Sequence, residues 1–418
     1  MRDFINDGGH MVFGGLRAET IAERFGTPVY VTDENIIREN YRRIRNAFLK
    51  YMDTRVYYAC KANTSLAILR ILEQEGSFID AVSAGEVLTC MKAGFSADRI
   101  LYTGVNVSST ELKEVAGLGV PVNIDSLSEL ERLSKINKNI PISIRIIPGV
   151  GSGHSDKVIT GSEESKFGIP LKLVVETYGR ALDLGFKPVG IHAHIGSGGH
   201  GIEPFIEAVS VLADVTNDVK DCYGLDFNFI NIGGGFGVPY RPNEHCVDIE
   251  ELASAVTEII MGETSVKKIA VEPGRYIVCD STVLLTRCTD VKRSGTKNYI
   301  GVDAGFNTLI RPAFYNSYHH VAIANKFNKA CEGKYDVVGP ICESGDFLAR
   351  DRALPVPEEG DLIAVYNSGA YSFSMSSTYN SRPRCREVLV NNGDAELVRD
   401  AETVEDLWRH QIIPKRLL

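Results

Sequence analysis

Between residues 55 and 275 the chain repeats one pattern eight times: a short β-branched or apolar run followed by a stretch with helical spacing of its apolar residues. The runs fall at 56–60, 78–82, 100–103, 122–125, 142–146, 189–194, 229–232 and 269–272. Strand-like runs separated by helical stretches predict successive βα units and a parallel sheet. Eight such units in about 220 residues fit a closed (β/α)8 barrel, with a doubly wound open sheet as the competing fold. An extra helix over 34–51 precedes the first unit. Ser108 with Glu111, and Ser126 with Glu129, stand at the spacing at which an N-cap hydroxyl and an N3 carboxylate satisfy each other's backbone donors, so each pair marks a helix start. Leu252, Val256, Ile259 and Ile260 share one side of a helix over 249–260, just before the eighth strand.

Beyond Arg275 the pattern changes to strand-like segments such as 281–285 and 362–366 with few helical periods. The expected organisation is therefore an N-terminal segment 1–28, a barrel over 29–275 and a mostly β domain over 276–418. A possible strand at Met11, Val12 and Phe13 could join the N-terminal segment to that β domain. The 45 Lys and Arg residues against 54 Asp and Glu give a net charge of −9, which argues against nucleic acid as a partner. Nine cysteines, an odd number without a Cys-x-x-Cys pair, suit neither a disulfide framework nor a zinc site and fit a reducing cytoplasm. The N-terminus carries early acids and lacks an apolar core segment, and no apolar run approaches the ~18 residues of a membrane span, so no membrane partner is expected.

Four candidate sites fall at the C-terminal ends of the expected barrel strands, the face where such barrels place their chemistry. Lys61 ends the first; read alone it is either a surface lysine or an amine made nucleophilic by partial loss of solvent. His192 and His194, two apart on one strand, share a face and are followed by the small residues 195–199. A metal pair is conceivable there, but no carboxylate or cysteine stands at ligand spacing, which leaves a stacking or structural role. Gly233, Gly234 and Gly235 end the seventh strand as either a plain tight turn or a run of amides able to close on a phosphate. Glu272, Gly274 and Arg275 end the eighth. A phosphate site after strands seven and eight, combined with Lys61, describes a phosphorylated aldehyde cofactor held as a Schiff base, with no metal.

The motifs Tyr58-Ala59-Cys60-Lys61-Ala62-Asn63, His192-Ala193-His194-Ile195-Gly196-Ser197, Gly233-Gly234-Gly235-Phe236-Gly237, Glu272-Pro273-Gly274-Arg275 and Cys342-Glu343-Ser344-Gly345-Asp346 together resemble, in order, those of the fold-type III pyridoxal-phosphate decarboxylases with an alanine-racemase-like fold. Arg311-Pro312-Ala313-Phe314-Tyr315, Gly369-Ala370-Tyr371 and a closing Ile412-Ile413-Pro414 resemble the branch that acts on diaminopimelate. The resemblance implies pyridoxal 5'-phosphate on Lys61, with Glu272 keeping the pyridine nitrogen protonated and His194 stacked on the ring. Ser197, Gly233, Gly234, Gly235, Gly274 and Tyr371 would bind the phosphate, with Arg275 near phosphate or substrate and Asp80 in the pocket. Cys342, from the partner subunit of a homodimer with shared active sites, would give the proton that quenches the carbanion; a thiol suits this because it is mostly protonated at neutral pH.

The implied reaction converts meso-diaminopimelate to L-lysine and CO2, the last step of lysine biosynthesis. Its substrate carries an ammonium and a carboxylate at the end remote from the chemistry, and each needs a partner once water is displaced. Arg311 could fork onto that carboxylate and Glu343 take the ammonium, with Tyr315, Tyr371 and Arg275 completing the pocket. A same-fold decarboxylase of ornithine, arginine or carboxynorspermidine is the alternative enzyme. A non-catalytic regulatory relative is the alternative from another class, and the joint presence of Lys61, Glu272 and Cys342 argues against it. The chain departs from the family pattern at Ala193, at Gly198 and Gly199, and in a glycine-rich loop over 149–161 that still runs into Ser165-Lys166-Phe167-Gly168.

Overall fold

The computed structural model describes every residue except 3, 152, 154–159, 163, 164 and 200, so the 149–161 loop lies largely outside the described residues. The chain forms two compact units, one of Ile37–Pro239 with Glu244–Val278, the other of Met1–Ile36 with Tyr240–Asn243 and Cys279–Leu418.

In the first unit all eight apolar runs are strands: Asp53–Ala59, Phe78–Ala81, Ile100–Tyr102, Val122–Ile124, Ile142–Ile147, Pro188–Ala193, Phe229–Asn231 and Lys268–Val271. Neighbours pair in parallel throughout, and the eighth strand pairs with the first, with Ile269 opposite Thr54, so the sheet closes into a barrel and the open alternative falls away. Such strands are covered on one face by the packed interior and on the other by helices, which is why they read as unbroken apolar runs; all six residues of Ile142–Ile147 are buried. The helix before the last strand spans Ile249–Glu263 and buries Leu252, Val256 and Ile260. Asp248 caps it by accepting the Glu250 and Glu251 amides.

The two expected caps form in part. Ser108 Oγ accepts the Glu111 amide at 3.1 Å and Ser126 Oγ the Glu129 amide at 3.2 Å. The carboxylates, however, do not turn back onto their own caps. Glu111 Oε1 accepts the Ala84 amide and the Tyr102 hydroxyl, and Glu129 Oε2 accepts the Asp125 amide at 2.8 Å. Amides at the junctions between strand and helix would otherwise be buried without an acceptor, and that deficit outweighs a second bond at a cap that water can reach.

The second unit is built on a sheet with strand order Phe347–Leu354, Gly333–Val338, Lys297–Val302, Thr282–Ser294, Val29–Asp33, Arg386–Asn391 and Asp394–Arg399. Its central strands are buried on both faces. Val29, Val31, Val283 and Leu285 enter one core with Met11 and Phe13, while Tyr30 and Leu284 enter another with Ile300 and Val337. Val29–Asp33, counted by the sequence within the barrel segment 29–275, instead pairs antiparallel with Thr282–Ser294 and parallel with Arg386–Asn391. Partners on both edges and apolar packing on both faces fix it there. Met11 and Phe13 lie on His10–Phe13, the middle strand of a small antiparallel meander. Among the described residues no helix is long and apolar enough to cross a membrane.

Candidate active site

Parallel register brings the ends of the barrel strands to a common rim. Ala59 stands opposite Asp80, and Lys61, two residues past the strand in a turn of 3-10 helix, reaches across so that Nζ donates to Asp80 Oδ2 at 3.1 Å. Asp80 is wholly buried, whereas the Lys61 side chain is 35% exposed. Burial raises the Asp80 carboxyl above the usual range; Lys61 opposes the rise and the nearby Glu272 adds to it. An amine set on a buried carboxylate, at the edge of solvent, can serve as a nucleophile once its proton is removed.

The sixth, seventh and eighth strands assemble a second cluster. Register places His192 opposite Asn231 and Asn231 opposite Ala270, two residues before Glu272. His192 Nε2 lies 3.1 Å from Glu272 Oε2, and Asn231 Nδ2 donates to Oε1 at 2.8 Å. Asn231 Oδ1 also accepts the Gly233 amide, and the Glu272 amide donates to the Gly233 carbonyl at 2.7 Å. Burial by itself would raise the Glu272 carboxyl; the pull of His192, then of Lys61, outweighs it and holds the group at about 2. Glu272 is thus an ionised acceptor inside the barrel mouth.

The glycine turn packs against the second cluster. Gly233 and Gly235 have φ of +69° and +103°, and a Cβ on Gly233 would stand 2.6 Å from the Ala193 carbonyl oxygen. A Cβ on Gly234 would overlap the Glu272 carbonyl oxygen. The Gly234 amide donates to His194 Nδ1 at 3.1 Å, which puts the proton of that imidazole on Nε2. Burial, with Lys61 and Arg145 adding to it, drives the His194 pKa well below the ordinary histidine value, so the ring is neutral and flat. Ser197 Oγ accepts from Arg275 Nη2 at 3.1 Å, and the Gly198 and Gly199 amides donate to the Gly235 carbonyl. Gly274 packs closely on Ala59. The rim therefore joins an amine, an ionised carboxylate, a neutral aromatic ring, and a hydroxyl and guanidinium beside an all-glycine turn, a set able to hold a phosphorylated carbonyl compound.

The remaining expected residues belong to the second unit. Arg311 is 1% exposed, with Nη2 donating to Ser317 Oγ and its guanidinium 5.7 Å from each of the Tyr240 and Tyr315 rings. Its Nε has no hydrogen-bond partner among the described residues. Cys342 is exposed, its amide donating to Asn380 Oδ1, and Glu343 accepts the Tyr379 hydroxyl. Tyr371 holds a left-handed φ of +57°.

Three site residues were not foreseen in these places. His192, read as stacking or structural, holds a structural place whose partner the sequence did not name, Glu272; Asn231 grips the same carboxylate from the other side. Arg145, buried on the fifth strand, lies 3.9 Å from Asp125 and over the Phe167 ring. The available signal was a polar residue inside a buried strand: Asn231 alone among apolar residues, and Arg145 as the charged residue in a strand otherwise apolar but for Ser143.

A barrel closed from eight parallel strands with a mostly β second unit is a fold shared with pyridoxal-dependent decarboxylases. Residues 34–279 match the family described as "Pyridoxal-dependent decarboxylase, pyridoxal binding domain", and the chain belongs to it. The chain is 52% identical to the diaminopimelate decarboxylase of Methanothermobacter thermautotrophicus, over 99% of this chain and 98% of that one. With the diaminopimelate decarboxylase of Archaeoglobus fulgidus the identity is 43%, over 99% and 100%. The crystal structure of the M. jannaschii diaminopimelate decarboxylase in complex with L-lysine superposes with a TM-score of 0.94 at 32% identity, covering 99% of each chain. Within the pyridoxal-dependent class, the chain sits among the diaminopimelate decarboxylases.

The glycine turn gives a direct test of this packing. Gly234→Ala should destabilise the protein by about 1–3 kcal/mol, as overfilled interiors do. Gly262→Ala, at a helical position where a Cβ meets open space, should stabilise it by about 0.5 kcal/mol. Urea unfolding of both variants checks the pair; equal effects would mean that the turn is not close-packed.

Proposed function

We propose that this chain decarboxylates meso-2,6-diaminopimelate to L-lysine and CO2 with pyridoxal 5'-phosphate, the step that ends lysine biosynthesis, and does so as a cytoplasmic homodimer. The observation that carries the choice of substrate is Arg311. A guanidinium buried to 1% exposure, with no carboxylate partner and an unbonded Nε among the described residues, is costly unless an anion from outside the chain completes it. The remote carboxylate of diaminopimelate is such an anion. Ornithine and arginine offer only a cation there and would leave Arg311 unanswered.

The cofactor fits the residues present: the glycine turn admits no side chain, and the amine, the ionised carboxylate and the neutral imidazole are those a phosphorylated pyridine aldehyde requires. When bound, pyridoxal phosphate supplies an aldehyde that combines with amines and a ring that accepts the electron pair left by departing CO2. In this reading Lys61 Nζ holds the aldehyde end and Asp80 orients that amine. Glu272 keeps a proton on the ring nitrogen, and His194 covers the ring face. Gly233, Gly234, Gly235, Ser197, Gly274 and Tyr371 take the phosphate, with Arg275 beside them. Glu343 and Tyr315 complete the remote pocket with Arg311, and Cys342 Sγ of the second copy delivers the proton to Cα. The exposure of Cys342 supports a place where another chain can reach it.

Two measurements test these assignments. Arg311→Lys keeps a charge but loses the fork, so kcat/KM for diaminopimelate should fall about ten- to a hundredfold, the loss of a charged contact of roughly 1.5–3 kcal/mol. D-lysine, which lacks the remote carboxylate, should be a poor substrate of the wild type and suffer no comparable loss; equal fractional losses would assign Arg311 to the fold. Separately, mixing inactive Lys61→Ala and Cys342→Ala proteins under subunit exchange should restore activity, because a mixed dimer regains one intact site. Demonstrated mixed dimers without recovery would place both residues in one chain's site.

A further inference from the structure

The residues that grip Glu272 have no part in the assignments above. His192 is wholly buried, and its Nε2 faces Glu272 Oε2 at 3.1 Å while its Nδ1 has no hydrogen-bond partner among the described residues. An ionised carboxylate only accepts, so the shared proton resides on Nε2 and His192 donates. Asn231, also wholly buried, donates to Oε1 from the neighbouring strand at 2.8 Å. Donors from two strands thus fix both oxygens. Through Asn231 Oδ1 and the Gly233 amide, the same grip is tied to the glycine turn.

We propose that His192, assisted by Asn231, is a positioning residue that keeps Glu272 ionised and aimed, so that the cofactor's ring nitrogen always meets an acceptor. The inference rests on the proposed pyridoxal-phosphate site. The other groups acting on Glu272 cannot substitute for it. Tyr57 on the first strand is a neutral phenol, and Asp80 at the end of the second is a like charge that works against ionisation. Arg145 on the fifth strand is directed at Asp125, and His194 is neutral. Lys61 acts on Glu272 only at a distance: its Nζ is bonded to Asp80 and its side chain is 35% exposed, so solvent weakens its pull. His192 and Asn231 remain as the donors in contact.

The sign of the effect follows. Without its donors Glu272 keeps no direct partner, and burial and the Asp80 charge, both of which favour the protonated form, are opposed only by the more distant Lys61 and Arg145. A protonated carboxyl gives up its attraction for a protonated ring nitrogen, and raising the pH restores it. The test is the dissociation constant of pyridoxal phosphate, followed by fluorescence from roughly pH 5.5 to 8.5, for the wild type, His192→Leu and His192→Gln. Gln carries an amide N–H that reaches the place of Nε2. For His192→Leu the cofactor should bind roughly tenfold more weakly at the acid end and recover to within about twofold at the alkaline end. Each value is read as its ratio to the wild type at the same pH, which cancels the titration of Lys61 and of the cofactor's phosphate, and the ratio for the Gln variant should stay near one throughout. Turnover of His192→Leu should fall in kcat with KM little changed.

A flat profile for His192→Leu, or a Gln variant as impaired as Leu, overturns the proposal and reduces His192 to a packing residue. Should His192→Leu not fold, Asn231→Ala removes the second donor and must show the same acid-side weakening; a flat profile there overturns the proposal equally. A wild type that takes up cofactor and releases CO2 beside a flat variant sinks the clamp alone, whereas a wild type that takes up no cofactor sinks the clamp and the proposed function together.

Discussion

A carboxylate sealed inside a barrel mouth is the constraint around which this site is built. Moving an ionised carboxyl out of water is strongly unfavourable, and a lone group would protonate rather than stay charged. Glu272 stays charged because neighbouring strands deliver His192 and Asn231 to its two oxygens, and because its own amide is bonded to the turn that follows the seventh strand. The barrel makes this possible: adjacent parallel strands end at one level, so side chains far apart in sequence meet without any loop having to hold them. A more mobile support would allow water in and the carboxyl would drift back toward its ordinary behaviour.

The same geometry separates two acids on one rim. Asp80 faces Lys61 and is lifted by burial, while Glu272 is held far below the usual range by its donors. Two carboxylates in one mouth are thereby given different work, one to orient an amine and the other to anchor a ring proton, in the function proposed here. Arg311 repeats the logic with opposite sign in the second unit. It is a buried guanidinium near two tyrosine rings, with no carboxylate partner among the described residues, and in the function proposed here a ligand supplies that partner.

Much of the fold was legible in the sequence, because a parallel strand covered on both faces is written as an unbroken apolar run, and eight of those in alternation with helices leave few architectures. The segment Val29–Asp33 was not assignable for the same reason. An all-buried run reads alike in a barrel and in a two-faced sheet, and only its pairing partners, more than two hundred residues away in sequence, decide between them. The capping boxes failed at the second half: Glu129 turns to the Asp125 amide just before its own cap, and Glu111 crosses to the Ala84 amide of another helix start, a pairing that no local spacing encodes. At the site, Lys61, Glu272 and the glycine turn were found as a set of motifs in order; taken one at a time, a surface lysine and a tight turn were equally good readings. Asn231 and His192 needed the register of three strands before their purpose could be seen.

The central claim is that Lys61, and no other lysine, carries the cofactor. Protein loaded with pyridoxal phosphate can be reduced with borohydride, digested, and its peptides weighed, so that the attachment point is read directly and without reference to activity. The expected result is a single pyridoxyl-modified peptide containing Lys61. Modification at a different lysine, or a peptide containing Lys61 that stays unmodified while the cofactor is bound, would contradict the site as described.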